Sequence, residues 1–183
     1  MKPGDIFRVR HELLGERYFQ YLYKDIEQLN GAVIAIFNYN SDITDGNLEE
    51  IKQSGVYLFL HTTISAGKKF FNWERIGNLA PVSTDNIVFF TYRFMDISIE
   101  KGMEELRWRV WGPKYPVEYR KYLEDVPLHL YNGVLVPPSD VMHFMCSKET
   151  YVNFALDIYP LWINNPFELP IVEDELPNKS KIP

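Results

Sequence analysis

Arg17-Tyr18-Phe19-Gln20-Tyr21-Leu22-Tyr23-Lys24 is the stretch that decides the fold. Read with a period of two, Tyr18, Gln20 and Leu22 fall on one face and Phe19, Tyr21 and Tyr23 on the other. Successive side chains of a strand point to opposite sides, and here both sides are largely apolar. Such a strand belongs inside a sheet with cover on both faces. Leu14-Gly15-Glu16 reads as a hairpin turn into a preceding strand at Ile6–Arg10. Asn30-Gly31 is a strong turn dipeptide, and Ala32–Phe37 follows as a short apolar run.

Further out, Val56–His61 is a buried-strand candidate and Ile87–Phe94 another. Asn47 caps a short helix over Leu48–Gln53, which Ser54-Gly55 stops. Ala66-Gly67 reads as a turn before a strand over Lys69–Ile76. Leu106–Trp111 alternates Leu106, Trp108 and Val110 against Arg107, Arg109 and Trp111, as a sheet with one wet face would. Glu118–Glu124 suggests a helical turn or two. Leu128–Leu130 and Val134–Val136 flank Asn132-Gly133 as a hairpin would, and Ser139-Asp140 precedes a helical turn or strand over Val141–Cys146. A helix is expected over Lys148–Ile158. Five prolines from Pro160 onward rule out long regular structure there. Trp162, Phe167, Leu169 and Ile171 are candidates to pin part of that stretch to the body.

The expected fold is α+β and mostly β: a twisted antiparallel sheet, or a partly open SH3-like barrel, with a few short helices. One β-rich domain is expected over residues 1–165, with Pro113 and Pro116 marking a change into its C-terminal third, 113–165, and a Pro-rich acidic tail over 166–183. Composition agrees. The chain has 183 residues, enough for one core without metal or disulfide, and 15% are aromatic, a bias toward strands.

Charge and absent motifs narrow function. With 19 Lys+Arg against 25 Asp+Glu the net charge is −6, which disfavours nucleic-acid binding. No signal-peptide run opens the sequence, and no apolar stretch reaches membrane-helix length. A cytoplasmic protein without membrane partners is the expectation. No phosphate-binding glycine loop or nucleophile elbow occurs. His143 and Cys146 form a lone H-x-x-C, short of the three or four ligands zinc needs. A Cys146 nucleophile with His129 or His143 as base would need an activated thiol, and Phe144-Met145 beside it reads as packing. No catalytic residue, cofactor or metal is expected.

Two acidic clusters stand out. Asp42 and Asp45 share a polar loop, and Glu49 and Glu50 follow on the short helix. They form either a solvated loop and helix or a docking surface for a cationic partner. Glu173-Asp174-Glu175 admits the same two readings, with disorder as a third. The aromatic residues either fill a broad sheet or, if exposed with Arg107 and Arg109, anchor an interface.

Lys2-Pro3-Gly4-Asp5-Ile6-Phe7 resembles the K-x-G-D-[IV]-[FW] opening of the immunity protein 26 family. The aromatic second strand Arg17–Leu22 and the W-x-x-I-G segment Trp73-Glu74-Arg75-Ile76-Gly77 are similar to that family in order and spacing over about residues 2–111. The resemblance implies a non-enzymatic antitoxin that binds and neutralises a cognate polymorphic toxin in the bacterial cytoplasm. An acidic inhibitor would suit a cationic toxin such as a nuclease. A G-D-[IV] stretch before an alternating strand also opens SH3-like barrels of the mRNA-interferase type. The alternatives are therefore an RNA-cleaving enzyme relying on the Arg17 or Arg75 region, or a regulatory protein-binding β domain.

Overall fold

The computed structural model describes residues 1–11, 15–39, 47–92, 108–120 and 129–146. The protein is β-rich, with three short helices among the described residues. Strands β1 (Asp5–His11), β2 (Gly15–Asp25), β3 (Gly31–Phe37), β4 (Val56–Thr62), β5 (Glu74–Asn78) and β10 (Leu135–Val136) form one sheet, in the order β10-β4-β3-β2-β1-β5. Strands β6 (Ile87–Tyr92), β7 (Trp108–Gly112), β8 (Tyr115–Arg120) and β9 (His129–Asn132) form a second, in the order β8-β7-β6-β9. Helices α1 (Leu48–Gln53), α2 (Ile64–Phe70) and α3 (Pro138–Cys146) complete the described structure.

The α+β, mostly β expectation holds, with two corrections. Neither sheet closes into a barrel; each keeps two edge strands. Nor is either sheet wholly antiparallel: β10 runs parallel to β4, and β9 parallel to β6.

β2 lies inside the larger sheet, as its two apolar faces require. It pairs with β1 through Phe7↔Phe19 and with β3 through Phe19↔Ile36. One face packs Phe7, Phe19, Ile34 and Leu60 against Ile64 of α2 and against Val141 and Phe144 of α3. The other packs Leu22, Val33, Ala35 and Phe59 against Ile87, Phe89 and Trp111 of the second sheet. The layers run helices, large sheet, small sheet. Each fully buried Phe, Leu or Ile contributes about 1.5–3 kcal/mol to that arrangement.

A bulge between Tyr21 and Tyr23 breaks the expected alternation of β2. Tyr23 therefore packs beside Leu22, toward the second sheet, instead of following Phe19 and Tyr21.

Four further expectations are corrected. Ala66-Gly67 lies inside α2, whose last residues are Lys69 and Phe70, and residues 71–73 lead out of it, so the strand begins only at Glu74. Residues 118–120 belong to strand β8, whose edge position tolerates Pro116. The segments around Asn132-Gly133 do not pair with each other: β9 joins the small sheet and β10 the large one. Both faces of β7 are buried, including Trp108, Val110 and Trp111. The 139–146 segment, open between helix and strand, is helix α3. Asn47 caps α1 as expected, its side chain accepting from the Glu49 N–H. The helix expected at 148–158, the anchors Trp162, Phe167, Leu169 and Ile171, and the 165/166 boundary lie outside the described residues.

Candidate functional site

The segments that carry the family resemblance meet in space. Gly4 has φ +94°, and a Cβ there would lie 2.1 Å from the Leu79 carbonyl oxygen. Only glycine fits so close an approach in that conformation. Asp5 then accepts from the Lys2 N–H at 2.9 Å and from Asn78 Nδ2 at 2.9 Å, and pairs with Arg75 Nε at 2.8 Å. Burial pushes its carboxyl up, but these partners bring it below its ordinary range. Trp73 stands edge-on to Phe19 at 5.0 Å, and Phe19 stacks on Phe7 at 5.1 Å. The opening segment, the aromatic strand and the W-x-x-I-G segment thus form one unit across β1, β2 and β5.

A buried polar cluster joins the two sheets. Asp25 Oδ2 lies 2.7 Å from His61 Nε2 and accepts from Trp111 Nε1 at 2.7 Å. Oδ1 accepts from the Glu27 N–H at 2.9 Å. Burial raises the Asp25 carboxyl, and the bonds from His61 and Trp111 outweigh it, so the group is held below its usual range. The contact places a proton on His61 Nε2, facing the carboxylate. Arg109 lies over the Trp111 ring and binds both the carbonyl and the carboxylate of Glu27.

A carboxylate orienting an imidazole is half of a general-base arrangement. The other half, a ring nitrogen open to a reacting group, is not found among the described residues. His61 is 0% exposed, its Nδ1 has no hydrogen-bond partner among the described residues, and its ring lies 4.2 Å from that of Phe89. The cluster is a clasp between sheets. Sequence reading missed it because the partners stand 36 and 86 residues apart.

The expected site residues divide. Glu49 and Glu50 are exposed in the first turn of α1. Lys52, which could have paired with Glu49, instead donates to the Ala80 carbonyl at 3.0 Å. Asp42 and Asp45 lie outside the described residues, as do Glu173, Asp174 and Glu175. Trp108 and Trp111 are buried, so β7 offers no exposed tryptophan anchors.

Cys146 ends α3 with its Sγ 3.9 Å from Met142 Sδ. Burial pushes its thiol up, more than the neighbouring Arg17 pulls it down. His143 sits on the exposed side of the same helix. Arg75 is engaged by Asp5, and Arg17 donates to the Glu16 carbonyl at 2.8 Å. Among the described residues no three His, Cys, Asp or Glu side chains converge as a metal site would require. No helix among them is long and apolar enough to cross a membrane. Compared with known proteins, the chain matches no family model, no curated protein and no solved structure.

Proposed function

We propose that this protein is a non-enzymatic immunity protein that binds and neutralises a cognate toxin domain in the bacterial cytoplasm. One observation supports the reading: the three segments that resemble the immunity protein 26 family make a single structural unit. Asp5 joins the first to the third through Arg75 and Asn78, and Phe19 joins the second to the third through Trp73. Their resemblance then concerns one packed unit and not three separate short matches. The acidic balance of the chain supports a cationic partner, such as a nuclease domain. The contact surface in this reading is the acidic stretch Asp42, Asp45, Glu49 and Glu50, of which Glu49 and Glu50 are exposed on α1.

The test is capture of a tagged copy from lysate of the native host, with mass spectrometry of what stays bound, followed by association with any C-terminal domain of a large secreted protein so recovered. Tight binding that protects cells from that domain is expected. Reversing all four charges to Lys should slow association about tenfold and flatten its salt dependence. An unchanged on-rate would reject the acidic surface but not the immunity role. No binding, together with RNA cleavage by the pure protein, would replace this reading with the mRNA-interferase one.

A further inference from the structure

We propose that the turn Lys68-Lys69-Phe70-Phe71-Asn72, at the end of α2, is a docking surface for an acidic protein segment carrying apolar side chains. The inference is independent of the acidic surface on α1, and opposite to it in charge.

Phe70 is 66% exposed and Phe71 42% exposed, side by side in the chain. Single exposed apolar residues are ordinary, but two adjacent phenylalanines in one turn are not. Lys68 and Lys69 are exposed as well, and neither is in an ion pair among the described residues. Lys69 Nζ stands 4.9 Å from the centre of the Phe70 ring. The acidic neighbour along the chain, Glu74, is held by Arg8 at 2.6 Å and does not neutralise them. The turn is a local double positive charge with an aromatic face, on a molecule of net charge −6.

It is also held in place from below. The Gly67 carbonyl accepts from the Phe71 and Trp73 N–H groups at 2.9 and 3.3 Å. Trp73 is buried against Phe19. Asn72 takes a left-handed conformation, φ +53°, that returns the chain to the sheet. A fixed turn loses little entropy on binding, and exposed aromatics are common interface anchors.

Charge selects the occupant. Membranes and nucleic acids present phosphates across the whole footprint of a bound protein, so they meet the net −6 charge as well as the two lysines. A peptide segment touches the turn alone. There it meets Lys68 and Lys69, both exposed and in no ion pair among the described residues, while charges beyond about 8 Å are largely screened. Carboxylates would pair with the lysines while apolar side chains cover Phe70 and Phe71.

The test is selection of random short peptides, displayed on phage, against the full chain and against its F70S/F71S variant. Peptides that are both acidic and apolar should be enriched on the wild type alone. A resynthesised one should lose affinity at least about tenfold with either F70S/F71S or K68E/K69E, and should weaken with salt. The four positions are exposed, so thermal melting of both variants should match the wild type; a matching melt separates lost contact from lost fold. Failure to enrich over F70S/F71S, or enrichment of peptides without acidic residues, would overturn the proposal. So would binding to phosphatidylethanolamine–phosphatidylglycerol vesicles or to single-stranded RNA that the same variants abolish.

Discussion

Trp111 and Asp25 stand 86 residues apart in sequence, yet the indole Nε1 donates to the carboxylate Oδ2 at 2.7 Å across the space between two sheets. The same oxygen lies 2.7 Å from His61 Nε2 on β4. One carboxylate on β2 therefore registers the small sheet on the large one, inside a layer that is otherwise Leu22, Val33, Phe59, Ile87 and Phe89. Hydrophobic contact alone would hold the sheets together without choosing their alignment. The polar contact has a direction and a length, and it chooses.

W111F removes one of those bonds together with part of the packed indole volume. We expect a loss of about 1–3 kcal/mol in urea unfolding, with an unchanged slope. D25N should cost more, about 2–4 kcal/mol, because Asp25 faces donors from Trp111, His61 and Glu27, and an amide replaces one acceptor oxygen with an NH2 group that only donates. D25N that is milder than W111F would show that Asp25 does not organise the cluster.

Acid should weaken the fold through three carboxylates. Asp25, Asp5 and Glu16 are each raised by burial, yet each lies below its ordinary range on balance because of its bonded partners. For Glu16 those partners are Tyr18, at 2.7 Å, and Arg10, also at 2.7 Å. A carboxyl whose folded pKa is depressed stabilises the fold above its unfolded value and loses that contribution as pH falls through the folded one. The urea midpoint should stay level from pH 7 to about 5, then drop steadily below about pH 4. E16Q should start lower at pH 7 and show a shallower drop. An E16Q profile parallel to the wild type would remove Glu16 from the account.

Gln20 latches the N-terminal turn to the irregular segment leading away from β5. Its Nε2 lies 3.3 Å from the carbonyl oxygens of Gly4, Leu79 and Ala80, and its Oε1 accepts from the Val82 N–H at 2.9 Å. Q20L keeps much of the volume but strands those buried backbone groups. A cost of about 2–3 kcal/mol is expected, with faster hydrogen exchange at Val82 as the local readout. Unchanged exchange at Val82 would mean that the latch does not hold.

Local patterns in the sequence disclosed what local physics decides. The two apolar faces of Tyr18–Tyr23 placed β2 inside the sheet, and Asn47 placed the start of α1, because burial periodicity and helix capping act within a few residues. Pairing between distant strands left no such mark. Asn132-Gly133 has hairpin chemistry, but its flanks are drawn into different sheets by β6 and β4. Residues 118–120 look helical in isolation and become strand because β7 offers an edge. The acidic residues of α1 were legible as exposed charge, whereas the Asp25–His61–Trp111 clasp was not. Its members lie on three strands, and no spacing along the chain encodes their meeting.

Gly67 is the sharpest case, because its place in the sequence points to the wrong role. It reads as a turn, yet it lies inside α2, where glycine costs about 1 kcal/mol against alanine. A Cβ at this position would lie 2.1 Å from Trp73 Cε3, so the helix sits directly on the indole and glycine makes room for it. If glycine were merely a helix breaker, G67A would stabilise the protein by about that 1 kcal/mol. Displacing a packed indole costs about 1–3 kcal/mol, and Trp73 is also wedged against Phe19. We expect the clash to dominate and G67A to lower stability. W73L alone should also destabilise, by opening a cavity, but combining it with G67A should cost less than the sum, since the added methyl then enters vacated space. Thermal or urea unfolding of the four proteins checks this, and strict additivity would mean that Gly67 and Trp73 do not share the space between α2 and the sheet.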